Sequence, residues 1–289
     1  MRTHRLALAL AVAVVLAGCQ SMRTGGTDEP VPDTPGAPTV PAEQDAPLLQ
    51  IDVSGGFVMM GYDFATVPAL TVYADGRAIA HGPQILIYPG PALPNLLERQ
   101  LSQADLETLV GAAFEAGLLG EVPDYGQPPI ADAPSTFVTI TIDGQTYRHV
   151  ANALDAAGGG LSAAELGLTD DQLAARNTLA EFVADAQELV GADGEPYEIT
   201  AFGIVAWSIV YDAETTVEPD PAPEVLRWPL DLPLADAADC TLVEGADAAT
   251  LLDTLTRANQ ITQFEQGGAI YEVHVRPLLP HETGCADLE

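Results

Sequence analysis

STFVTITIDGQTYRHVA (residues 135–151) is two alternating runs either side of Asp143-Gly144. Phe137, Thr139 and Thr141 fall on one face of the first run, and Val138, Ile140 and Ile142 on the other. A period of two is the strand period, and Asp-Gly between two such runs supplies the positive φ angles that a tight hairpin needs. The stretch therefore predicts an antiparallel pair with one apolar face, which something else must cover. Upstream, LTVYADGRAIA (residues 70–80) repeats the pattern around Asp75-Gly76. LLQIDV (residues 48–53) reads as a first strand and QILIYPG (residues 84–90) as a further one.

The cover is also written in the chain. Ser102 and Asp105 are spaced as a helix-capping pair ahead of Leu106, Leu109, Val110, Ala113 and Phe114, which recur at helical spacing up to Gly117. Thr169 and Gln172 repeat the device before Leu173, Leu179, Phe182, Val183, Ala186 and Leu189, closed by Gly191. In the second half, ITAFGIVAWSIVY (residues 199–211) reads as a buried strand and Ala246 to Ala258 as a helix carrying Leu251, Leu252 and Leu255. GGAIYEVHVRPLLP (residues 267–280) reads as a strand stopped by proline. Strands followed by capped helices, with no short repeat, predict an α+β fold of antiparallel sheets with helices packed on one face. The expected division is a domain over residues 48–195 and a smaller one over 196–289.

The N-terminus carries a different message. MRTHRLALALAVAVVLAGC (residues 1–19) has Arg2 and Arg5, then an apolar run from Leu6 to Leu16. A bilayer span needs about 20 apolar residues, so this run fits a secretory leader instead. Leu16-Ala17-Gly18-Cys19 resembles the lipobox of bacterial lipoproteins. The resemblance implies removal of residues 1–18 and lipid on Cys19, which becomes the new N-terminus and anchors the chain to the outer face of the cell membrane. Residues 19–47, rich in Pro, Thr, Gly and acid, read as a disordered tether. The body also resembles an uncharacterised domain of bacterial envelope lipoproteins. The resemblance rests on PALTVYADGRAI, a helix ending AAFEAGLLG, DYGQPPIADAPSTFVTITIDGQTYRHV and the closing GGAIYEVHVRPLLPHETGC. It implies an envelope location and an α+β fold, and no activity.

Charge limits the partners. The chain has 42 acidic and 10 basic residues, all ten of them Arg, for a net charge of −32. Loss of Arg2 and Arg5 with the leader makes the mature charge about −34. Such a surface repels nucleic acid and anionic headgroups, so no nucleic-acid partner is expected. Without Lys there is neither a Schiff-base lysine nor a P-loop lysine. With Cys19 assigned to lipid, Cys240 and Cys285 are an even pair, expected to form one disulfide in the C-terminal unit, with a free nucleophilic Cys as the alternative.

No assembled catalytic set stands out. Ser54 follows a strand but lacks the G-x-S-x-G elbow, and reads as a turn residue. His281 and Glu282 near His274 are the nearest approach to a zinc set, too few for a closed site. Glu218, Asp220 and Glu224 are split by prolines, and Asp193-Gly194-Glu195 reads as a turn; a divalent cation therefore has no motif here. Asp124, Tyr125 and Asp132, between helix and hairpin, are the candidate binding residues, with turn chemistry as the alternative. No cofactor is expected. The reading is a lipid-anchored, non-catalytic module that binds an envelope protein or cell-wall partner; the alternative is a secreted hydrolase built on carboxylates.

Overall fold

The computed structural model of the chain describes residues 45–210 and 220–288. The leader, Cys19, the tether up to residue 44 and Glu218 lie outside the described residues. The first sheet contains β1 (Pro47–Ser54), β2 (Leu70–Tyr73), β3 (Arg77–His81), β4 (Leu96–Gln100), β5 (Ser135–Ile142), β6 (Gln145–Asn152) and β7 (Glu195–Pro196). Its order is β6-β5-β1-β2-β3-β4-β7, antiparallel throughout. The second contains β8 (Ala201–Ile209), β9 (Val225–Arg227), β10 (Thr241–Glu244), β11 (Gln263–Gln266) and β12 (Ala269–Pro277), in the order β10-β8-β12-β11-β9. Only its β9–β11 pair is parallel. The helices are α1 (Tyr62–Ala65), α2 (Gln103–Glu115), α3 (Asp170–Val190) and α4 (Gly245–Leu255). The class is α+β.

Alternation decides which face each helix covers. Leu49, Ile51, Leu70, Val72, Val138 and Ile140 form the apolar face of the first sheet, packed against Leu106, Leu109 and Val110 of α2 and Leu179, Phe182 and Ala186 of α3. Both helices begin with the expected capping boxes, Ser102 with Asp105 and Thr169 with Gln172. In the second sheet Phe202, Ile204, Ala206 and Val275 point to Leu251 and Leu255 of α4. The opposite face carries Gly203, Glu272, His274 and Arg276. A Cβ on Gly203 would stand 2.5 Å from Leu288 and 3.2 Å from Phe64, so α1 and the C-terminal segment press there.

One expected strand is not formed. QILIYPG lies in a loop between β3 and β4 with Ile85, Leu86, Ile87 and Tyr88 all exposed. The reason is local. Four consecutive apolar residues have no polar alternation to define a face, Pro83 and Pro89 bracket them, and the edge of β3 is already taken by β4. Gly82 N–H donates to Asn95 C=O at 2.8 Å and closes the loop at its base.

The described residues belong to one compact unit, joined where the chain leaves β12. Residues 278–282 turn back onto the face of the first sheet that looks away from α2 and α3. Leu279 packs with Val67, Tyr73, Ile79 and Leu96. Tyr197 donates to the Leu278 carbonyl at 2.9 Å. His281 lies between Gln50 Nε2 at 3.1 Å and Tyr73 Oη at 2.9 Å. The Gln50 amide nitrogen can only donate, so His281 Nε2 accepts and Nδ1 carries the proton to Tyr73. Buried Arg276 pairs with buried Glu282, whose other oxygen accepts the Leu279 N–H at 2.7 Å. Cys240 and Cys285 are bonded, with Cα atoms 5.6 Å apart. In the chain-entropy model a loop of this length contributes roughly 3–4 kcal/mol.

Two measurements test this joint. Glu282→Gln leaves Arg276 buried without its counter-charge, and urea unfolding is expected to show a loss of about 3 kcal/mol. Burial, reinforced by Arg276, pushes the His281 imidazole down to about 4. The folded state then binds fewer protons than the unfolded chain between pH 6.5 and about 4. Stability from this group is present above pH 6.5 and is lost as pH falls. After allowing for partial exposure the loss is roughly 1–3 kcal/mol, and it is expected to vanish in His281→Gln. Equal pH slopes in the two proteins would contradict it.

Candidate functional site

The sequence candidates part company in the structure. Asp124 is exposed; its carboxylate accepts the Gly126 N–H and Gln172 Nε2, both at 2.8 Å. These bonds hold its carboxyl below the usual range. Tyr125 turns the other way, into the core, and donates to His149 Nδ1 at 2.7 Å. His149 in turn donates from Nε2 to the Leu118 carbonyl at 2.9 Å, which fixes its tautomer. Burial pushes the Tyr125 hydroxyl up to about 12. Arg176, fully buried on α3, donates to the carbonyls of Tyr125, Asn152 and Ala153. Asp132 has φ 58°, and its carbonyl accepts the Phe57 N–H at 3.4 Å. Asp124 and Tyr125 thus anchor a turn on α3, while Asp132 braces a different loop.

That loop leads to a group of exposed apolar side chains. No charged residue occurs between Asp52 and Asp63, nor between His81 and Glu98. In the first stretch Phe57 is 88% exposed, Met59 and Met60 68% each; in the second Leu86 is fully exposed and Ile85 and Tyr88 67% each. Large apolar groups held in water at this density are unusual on a folded surface. The second loop is not loose. Gly90 exchanges hydrogen bonds with Gln260, through its N–H to Oε1 at 3.1 Å and its carbonyl from Gln260 N at 2.9 Å. Ala92 N–H donates to the Ala258 carbonyl at 3.3 Å.

The bases of the two loops share a cavity of about 240 Å³ at the edge of the second sheet. Met59 and Tyr62 form one wall, Pro91 and Ala92 another, and Phe264, Val273 and His274 lie on the sheet side. No carboxylate or arginine lines it. Gly61 has φ 82°, and the Tyr62 N–H closes a turn onto the Met59 carbonyl at 3.1 Å. A Cβ on Gly61 would meet the His274 ring at 2.5–2.7 Å, so only glycine lets the turn lie against the imidazole. His274 Nε2 lies 3.0 Å from Glu272 Oε1, and its ring centroid is 5.3 Å from that of Trp207. A carboxylate accepts, so Nε2 donates to Glu272.

No family model, no curated protein and no solved structure matches the chain. Among the described residues, no three His, Cys, Asp or Glu side chains converge as a metal set, and no helix is long and apolar enough to cross a membrane. His281 and Glu282, paired with His274 in the sequence reading, serve the inter-sheet joint instead. The residues around the cavity come from positions 59–65, 91–92 and 255–275, too far apart for spacing to reveal. The two charge-free runs were the available sequence signal.

Gly61→Ala tests the turn. The added methyl meets a pinned ring as well as an unfavourable φ, for an expected cost of about 2–4 kcal/mol by urea unfolding. Gly55→Ala, also at positive φ but with open space around it, is expected to cost about 1 kcal/mol. Equal losses would remove the packing contact from the account.

Proposed function

We propose that the chain is a lipid-anchored, non-catalytic binding module on the extracytoplasmic face of a bacterial cell membrane. Its binding surface is the pair of charge-free loops around the His274 cavity. The observation that carries the reading is the set of exposed apolar side chains on two braced loops, Phe57, Met59 and Met60 on one and Ile85 to Tyr88 on the other. The Cys19 lipobox and the tether after it support the anchor, and the Cys240–Cys285 disulfide is consistent with an oxidising compartment. The net charge of −32 works against a second copy of the chain or an anionic lipid surface as the occupant, and favours an envelope protein. A cavity without carboxylates favours binding over hydrolysis by a carboxylate pair.

The test is a photo-crosslinking residue at Leu86 of the full chain in intact cells. One dominant envelope protein is expected, and it is expected to disappear in Phe57→Asp and Tyr88→Asp, both at exposed positions. A pattern unchanged by these substitutions, or no adduct above the level seen with the crosslinker on exposed α3 residue Glu181, would contradict the reading.

A further inference from the structure

β12 outruns its neighbour. The Gly267-Gly268 turn, with φ of 65° and 86°, joins β11 to β12 and pairs Gln266 with Ala269. In a two-residue hairpin the flanking pair exchanges both hydrogen bonds, and backbone polar groups then alternate sides along the strand. Those of Ala269, Tyr271, Val273 and Val275 therefore face β11, while those of Glu272, His274 and Arg276 face β8. Pro277 agrees with this assignment. It lies opposite Phe202 of β8, and a proline is tolerated in a ladder where the missing N–H points away from the neighbouring strand.

β11 begins at Gln263, opposite Glu272, so from Val273 onward the open side of β12 has no strand beside it. The chain that would extend β11 is committed elsewhere: Thr262 N–H donates to the Asn259 carbonyl at 3.0 Å, and Gln260 N–H to the Gly90 carbonyl at 2.9 Å. Among the described residues no hydrogen bond reaches the Val273 carbonyl or the N–H and carbonyl of Val275, although Val275 is buried. Both valines line the 240 Å³ cavity. We propose that the open side of β12 is a docking edge for an extended peptide segment of the envelope partner, which adds a short strand beside Val273–Val275 and seats an apolar side chain in the cavity. The inference rests on the binding-module reading of the same surface and names the kind of segment it takes.

Three features select that occupant. Backbone donors and acceptors held out of bulk water need partners. An acyl chain offers none, whereas an added strand brings an N–H and a C=O at matching spacing. The cavity walls carry no carboxylate or arginine, so the side chain turned into them is apolar. Asp63 and Glu272 adjoin Tyr62 and Val273 in sequence and lie outside the cavity lining, and the chain carries a net charge of −32, so the residues flanking the apolar one are Lys or Arg. Pro277 offers no N–H on the open side and ends the added ladder there.

The test uses the Leu86 adduct, purified as the crosslinked complex of the full chain. Amide hydrogen exchange at Val275 is expected to be roughly tenfold slower in the complex than in the free chain, with the amides of β10, at the far edge of the same sheet, unchanged. In intact cells Val275→Pro, which deletes the N–H, is expected to lose the adduct, and Val275→Ala, which keeps it, to retain the adduct. Near-ultraviolet circular dichroism checks that both variants fold; if the proline variant does not, the exchange measurement decides alone. A dominant adduct with unchanged exchange at Val275, or equal adduct yields in two folded variants, would overturn strand addition and leave the binding module standing. No adduct in the unsubstituted chain would overturn both.

Discussion

The buried Arg276–Glu282 pair sets where everything around the cavity sits. Its strand partner, Gly203, lies on the face that α1 and Leu288 press upon. Removing two charges from water is costly, and the pair is tolerable only because Glu282 also takes the Leu279 N–H and Arg276 has its counter-ion. Burial pushes the Glu282 carboxyl up, while Arg276 and that N–H pull it down. With this return segment fixed, Leu279 and His281 dock on the first sheet and the disulfide fixes the segment beyond. The faces of the two sheets that look away from their helices are thereby joined through one segment. The notch at the open edge of β12, where Met59, Pro91 and His274 meet, is part of that arrangement.

A second buried charge does a related task on the other side of the first sheet. Arg176 has no carboxylate among its hydrogen-bond partners; three carbonyls from two chain segments share its guanidinium. It ties the Tyr125 turn and the end of β6 to α3. Tyr125 and His149 satisfy each other beside it, leaving the helix layer with a small polar network inside an apolar core. Both devices are rigid scaffolding, and the apolar loops stand out against them as surface without an internal role.

Much of the fold was legible because it follows from short-range rules. The Asp75-Gly76 and Asp143-Gly144 hairpins, both capping boxes and the β8 and β12 strands follow from local spacing, and the structure forms each of them. The strand expected at QILIYPG failed because hydrophobicity without alternation does not define a sheet face, and β4 took the edge instead. Tyr125 and Asp124 looked alike in sequence but diverge, one into the core and one into solvent. The cavity was not legible, since Met59 and His274 are brought together only by the packing of α1 on β12. Their conjunction depends on Gly61, whose requirement is a close approach that no local pattern announces.

On the proposed function, the Phe57–Tyr62 and Ile85–Tyr88 loops are covered by a partner in the cell. Hydroxyl-radical footprinting of the native protein in intact cells, compared with the purified full chain, measures that directly. Met59, Met60 and Tyr88 are expected to be oxidised readily in the purified chain and protected in cells, while Phe114, exposed on α2, reacts alike in both. Equal reactivity of the loops in the two settings would contradict it.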